Sequence, residues 1–239
     1  MNEYVAVDLE TTELTPKTDR ILEIGAYRVV RGEFAEKFHM MLDPGIAVPP
    51  RITELTGITQ EMVRGQAQQK DGIRAFIDFA GELPLLGHNL IFDYGFLKHA
   101  AVNAGYSFEK EGADTLKISR EVLPQLASRS LGALCVHFSI GQQKAHRGDD
   151  DARVTALLYE ELKKRYGERN PDLFVPRPLI YKAKRQSPIT NAQKGYLNDL
   201  VKYHKIKLDV QIENLTKGEA SRLIDRILTE HGKIRRSGF

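Results

Sequence analysis

Five side chains able to handle metals or protons stand in three separate motifs: Asp8 and Glu10 in VAVDLETT, Asp93 in GHNLIFDYGFL, and His146 with Asp151 in AHRGDDDARVT. A carboxylate is costly to bury unless it is paired or coordinates a metal. Acids emerging from apolar stretches far apart in sequence are therefore explained economically by a shared cation. The chemistry this supports is metal-dependent hydrolysis of a phosphate ester. That reaction needs an activated water, stabilisation of a crowded anionic phosphorus and relief of charge on the departing oxygen, and two divalent ions about 3.5–4 Å apart supply all three. Carboxylates, rather than cysteines or several histidines, favour Mg²⁺ or Mn²⁺. A histidine, which titrates near neutral pH, suits removal of a proton from the attacking water.

Taken singly, each motif also has a plainer reading. Asp8-x-Glu10 ends an apolar strand pattern, where alternation sends both acids to one side, but a D-x-E can equally be a solvated strand end. Asp93 can serve as a first-turn acid facing a helix dipole, and Asp149, Asp150 and Asp151 are all good helix-start residues. His39, His99, His137, His204 and His231 have no motif and read as structural or surface residues. Cys135, the one cysteine, lies on an apolar helical stripe and reads as a core thiol; a disulfide framework within the chain is excluded.

The elements that must position these residues follow from periodicity. Residues 4–8, 20–30 and 34–42 read as strands of an antiparallel meander with a turn at Arg31-Gly32. After a Pro-rich break at Pro44, Pro49 and Pro50 come helical patterns in ITQEMV and DGIRAFIDFAG, a short strand LPLLG, and a helix from Ile91 closed by Gly105. A strand end at Asp114 precedes helices in ISREVL and SLGALCVHFSI. A long amphipathic helix, DDARVTALLYEELKKRYG, carries acids at its start and lysines near its end.

These patterns predict a first domain over residues 1–167, an extended Pro/basic linker over 168–188 and a small helical basic module over 189–239, its helices capped by Thr190 and Thr216. Net charge is +3 overall, yet residues 171–239 hold 14 Lys/Arg against 7 Asp/Glu, leaving 21 against 25 before them. An acidic body with a basic tail fits a protein that meets polyanions, although solvated lysines give the same pattern. The expectation for the module is binding of DNA or a partner through its lysines and Lys233, Arg235 and Arg236. The chain enters a strand pattern directly at Tyr4, and no apolar run approaches bilayer-spanning length, so a cytoplasmic location away from membranes is expected.

In conjunction and in this order, VDLETT, GHNLIFDYGFL and HRGDDDARVT resemble the motifs of the DEDD superfamily of 3′→5′ exonucleases, in its histidine-containing (DEDDh, DnaQ-like) subgroup. ITELTGITQEM, DTLKISREVLP and SLGALCVHFSI are similar to connecting segments of its proofreading branch, exemplified by the epsilon subunit of DNA polymerase III. The match covers roughly residues 4–166. It implies an α/β ribonuclease H-like exonuclease fold, a mixed sheet flanked by helices. It also implies that Asp8, Glu10, Asp93 and Asp151 hold two divalent ions, Mg²⁺ or Mn²⁺, and that His146 is the general base. Asp151 fits better than Asp149 or Asp150 because the family's third acid comes five residues after the histidine and just before an alanine, here Ala152.

The same resemblance implies that Thr11, Thr12, Leu55 and Thr56 surround the terminal nucleotide, with Leu55 as a wedge under its base, and that Phe92 and Phe96 face a base or the core. Many relatives have glycine after the paired threonines where this chain has Glu13-Leu14, so the turn there should differ. The implied activity is release of nucleoside 5′-monophosphates from single-stranded or frayed 3′ ends of DNA in proofreading or repair. The alternatives are an exoribonuclease with the same residues and a non-catalytic nucleic-acid-binding module. The sequence leaves open DNA against RNA, a DNA polymerase subunit as partner, and oligomeric state.

Overall fold

The computed structural model describes residues 1–208 and 210–234, which form two compact units: Met1–Pro44 with Val48–Ala183, and Gly45–Ala47 with the residues from Lys184 onward. In the first unit β1 (Glu3–Thr11), β2 (Ile21–Val30) and β3 (Glu33–Asp43) make the expected antiparallel meander. Arg31 and Gly32 both take positive φ, as a two-residue hairpin turn matching the sheet twist requires. Adding β4 (Ala67–Gln68), β5 (Leu85–Gly87), β6 (Glu111–Asp114) and β7 (Arg177–Pro178) gives a seven-stranded mixed sheet of order β4-β3-β2-β1-β5-β6-β7. β5 is parallel to β1, so the helix that follows it starts at the same end of the sheet as the acids closing β1.

The helices of this unit are α1 (Pro50–Thr56), α2 (Gln60–Val63), α3 (Gln69–Ala80), α4 (Leu90–Ala104), α5 (Thr115–Val122), α6 (Leu131–Phe138) and α7 (Gly148–Tyr166). They cover both faces of the sheet. Val5, Val7 and Leu9 of β1 join one core with Phe76 of α3 and Tyr94 and Leu97 of α4, while Tyr4 and Ala6 join the other with Leu134 of α6 and Leu158 and Tyr159 of α7. Alternation along the strand therefore carries Asp8 and Glu10 onto the face covered by α7.

Two sequence expectations are corrected. The Pro-rich break contains a helix, α1, because Pro50 occupies its first position, where the missing N–H has no intrahelical partner to lose. Residues 168–183, expected as part of an extended linker, belong to the first unit instead. A 3₁₀ turn at Pro171–Phe174 buries Phe174 against Tyr159, and β7 pairs antiparallel with β6. Phe174, with Leu173, Leu179 and Tyr181 packed on the cores, supplies contacts that a proline count does not reveal.

In the second unit, α8 (Asn191–His204) and α9 (Lys217–His231) each begin with a complete capping box, Thr190 with Gln193 and Thr216 with Glu219. Ile189, Leu197, Leu200, Leu215, Ala220 and Ile227 form its core. Ile189 N donates to Leu215 O at 2.9 Å, tying the entering chain to the segment before α9. Of the terminal cations, Arg235 and Arg236 lie outside the described residues.

A close backbone approach lies beneath the start of α7. Asp8 is in register with Gly25 of β2, and a Cβ on Gly25 would stand 2.0 Å from the Gly148 carbonyl carbon and 2.2 Å from Asp149 N. Only backbone without a side chain fits there, and this sets how near α7 comes to the acids of β1. Gly25→Ala should therefore destabilise the protein by about 3 kcal/mol, the upper end of ordinary overpacking, because backbone rather than a side chain must yield. Denaturant unfolding checks this, and a loss below about 1 kcal/mol would refute the steric argument.

Candidate active site and metal centre

Three structural elements deliver the acids. Asp8 and Glu10 project from the end of β1, with Asp8 half-buried and Glu10 9% exposed. Asp93 sits in the first turn of α4, 3% exposed, and its Oδ1 accepts a hydrogen bond from Leu9 N at 3.0 Å, which fastens α4 to β1 between the two strand acids. Asp151 lies in the first turn of α7, 8% exposed. Ligand atoms of Glu10, His146 and Asp151 fall within 4.8 Å of one another.

The three consecutive acids of α7 have separate partners. Asp149 pairs with Lys37 at 2.7 Å. Asp150 Oδ2 accepts from Gln143 N at 2.6 Å and Lys144 N at 2.7 Å, while its Oδ1 pairs with Arg153. Asp151 alone of the three joins Glu10 and His146; its Oδ1 accepts from Gln142 Nε2 at 2.6 Å and its Oδ2 from His146 N at 3.1 Å. His146 is exposed on the loop before the helix, in the left-handed region at φ 59°.

The cluster is electrostatically strained. Burial, reinforced by Asp151, Glu23 and Asp93, pushes Glu10 up to about 8. Burial likewise raises Asp93 to about 8, against the opposing bond from Leu9 N. Asp8 is raised well above its ordinary value by burial and then by Asp93, Asp151 and Glu10. Asp151 is raised by burial despite the bonds from Gln142 and His146 N. Converging oxygen donors with at most one imidazole, held where they repel one another, suit hard divalent cations. Asp8, Glu10, Asp93 and Asp151 are the residues that could hold them.

The residues expected around a substrate divide. Leu55 is 54% exposed on α1. Thr11 is buried, its hydroxyl donating to Glu13 O at 2.6 Å. Thr12 and Thr56 have committed hydroxyls: Thr12 accepts from Arg20 N at 2.9 Å, and Thr56 donates to Ile52 O and accepts from Ile58 N, closing α1. Phe96 is a core residue, while Phe92 is half-buried with its ring centroid 5.1 Å from that of Phe96. The Glu13 departure has a structural use, since Glu13 pairs with Arg51, one turn before Leu55 on the same side of α1.

Glu23, Gln142 and Arg147 went unnoticed in the sequence. Glu23 is fully buried on β2 in register with Glu10. Burial alone would raise it, yet hydrogen bonds from His39, Arg147 and Gly148 N hold it at about 2. An acid inside the apolar run RILEIGAYRVV was the available signal, by the same logic that singled out Asp8.

Fold and site define an α/β protein that gathers carboxylates at the ends of a central strand and two helices, beside an exposed histidine. The chain belongs to the RNase_T exonuclease family, whose model matches residues 5–159, and is of the DEDDh type; the family is metal-dependent. It is 38% identical over 157 residues to the PolC-type DNA polymerase III of Clostridium perfringens, an alignment covering 66% of this chain and 11% of that polymerase. The chain thus spans about a ninth of that relative's length. Two solved structures share the fold: exonuclease X in complex with 5′-overhanging duplex DNA (22% identity, TM-score 0.57, covering 72% of this chain and 99% of that one) and E. coli exonuclease I in complex with a dT13 oligonucleotide (20%, 0.66, 73% and 44%). No helix among the described residues is long and apolar enough to cross a membrane.

Raised folded-state acids bind protons that the unfolded chain has already released. Between their ordinary values near 4 and the folded values near 8, stability contributed by Glu10 and Asp93 therefore falls as pH rises. The thermal midpoint of chelator-treated protein should accordingly gain more from an added divalent cation at pH 8 than at pH 5. Equal gains at both pH values would contradict this account.

Proposed function

We propose that the chain is a 3′→5′ exonuclease that removes nucleoside 5′-monophosphates from single-stranded or frayed 3′ ends of DNA, serving proofreading or repair in the cytoplasm. The observation that carries the reading is the meeting of Glu10, His146 and Asp151, with Asp8 and Asp93 adjoining, in a chain of this family. Asp8, Glu10, Asp93 and Asp151 would hold Mg²⁺ or Mn²⁺, which when bound supply Lewis-acid polarisation of the phosphate and of the attacking water. His146 accepts the proton of that water; its exposure on a loop lets it reach solvent and then release the proton. Leu55, exposed on α1, stacks against the terminal base. Thr11, Thr12, Thr56 and Phe96 support the pocket from behind rather than touch substrate, because their polar groups are committed or their surface is buried.

The DNA assignment draws on the PolC-type relative and the DNA complexes of exonucleases X and I. A polymerase is the proposed partner, since that relative is itself a polymerase. Epsilon-like proofreading is the narrower version of the reading. The basic second unit adds affinity for the nucleic-acid backbone through its lysines. Its removal (residues 186–239) should weaken binding of single-stranded DNA and flatten the dependence of that binding on salt.

End-labelled single-stranded, paired and mismatched DNA and RNA, each incubated with Mg²⁺ or Mn²⁺, give the test. Single-stranded and mismatched DNA should shorten from the 3′ end. Asp8→Ala should abolish shortening, and His146→Ala should slow it by about 10²–10⁴-fold with cation binding retained. Degradation surviving Asp8→Ala would sink the assignment, and preference for RNA would replace DNA with the exoribonuclease reading.

A further inference from the structure

We propose that Glu23 and Arg147 are positioning residues for His146: their ion pair, buried at its glutamate end, fixes the loop that presents the imidazole to the acid cluster. This rests on the exonuclease reading above and adds a pair of residues to it. Glu23 is 0% exposed, and a carboxylate so placed must be paired. Arg147 Nη2 donates to its Oε1 at 2.7 Å and Arg147 Nε to its Oε2 at 3.2 Å, a forked contact that fixes orientation as well as distance. Gly148 N donates to Oε2 at 2.9 Å, and His39 Nε2 lies 2.6 Å from Oε1.

Arg147 directly follows His146, whose φ of 59° is costly for a residue with a side chain and persists only where its surroundings hold it. Two anchors do so. On one side His146 N donates to Asp151 Oδ2; on the other, the next residue is clamped to β2 through Glu23. Asp150 pins the middle of the same loop through Gln143 N and Lys144 N. Because the His146 ring is exposed, its direction is set by this held backbone rather than by packing around it.

Glu23, His39 and Asp149 also bring ligand atoms within 4.8 Å of one another, which would suit a second cation by residue type. Arg147 already neutralises Glu23, and Lys37 neutralises Asp149, so the group is an ion-pair network. Glu23 stands in register with Glu10, so the clamp ties His146 to the strand next to the one that carries two cluster acids.

A double-mutant cycle on end-labelled single-stranded DNA tests the proposal, comparing the unaltered 239-residue chain with Glu23→Gln, His146→Ala and the double variant. Glu23→Gln keeps the side-chain volume and removes the charge that holds the fork. It should lower kcat by about tenfold with KM for the oligonucleotide unchanged, and the double variant should be no slower than His146→Ala. Equal slowing by Glu23→Gln in both backgrounds would overturn the proposal, since a merely structural Glu23 impairs the His146→Ala protein as well. If His146→Ala leaves turnover intact, the reading of His146 as proton acceptor fails first, and the proposal with it. Should Glu23→Gln not fold, as judged by thermal melting, Arg147→Lys replaces it in the same cycle. It retains the charge but loses the fork, and the same outcomes decide.

Discussion

Four carboxylates held in a largely buried site at the end of a β-strand repel one another, and much of the fold can be understood as the means of keeping them together. Left to themselves they would take up protons or swing into water, as the upward displacement of Glu10 and Asp93 to about 8 records. The scaffold prevents the second escape. Asp93 is tethered by Leu9 N, Asp151 by Gln142 and His146 N, and Asp8 lies over the Gly25–Gly148 contact, where two strands and a helix meet without side chains between them. What relieves the repulsion is positive charge from outside the chain, so the same strain that would weaken the empty protein becomes affinity for cations.

Two buried acids facing each other on the same rung of the ladder have opposite fates. Glu10 has carboxylate neighbours and is driven toward its neutral form, whereas Glu23, across from it on β2, is surrounded by donors and stays ionised. Position in the sheet is nearly shared; hydrogen-bond company decides. One acid is thereby available to a ligand, and the other is consumed in holding the protein's own loop.

The parts of this design that follow from local pattern were legible in the sequence: the meander, the helix after the Asp8 strand's parallel neighbour, the two capped helices of the second unit, and the acids that interrupt apolar runs. What escaped depended on contacts between distant segments. α1 was hidden because proline reads as a breaker and its tolerated place at a helix start is visible only once the helix is there. Residues 168–183 looked like linker because what anchors them, Phe174 against Tyr159 and β7 against β6, is contact with other segments rather than a pattern of their own. Thr12 and Thr56 carry hydroxyls suited to a ligand by type, but Arg20 and the end of α1 had already claimed them. Glu23 was the same kind of signal as Asp8 and was passed over because no spacing rule links it to Arg147.

The run Asp149-Asp150-Asp151 has a further consequence. Successive residues of a helix point about 100° apart, and here each of the three bearings meets a different structure: a lysine on β3, the backbone of the preceding loop, and the acid cluster. Identical side chains would ordinarily make a helix indifferent to a one-residue slip, since any of them could stand in for its neighbour. Three incompatible destinations remove that indifference. The repeated letter in the sequence acts as a key with three differently cut teeth, and α7 can be seated in one rotational setting alone.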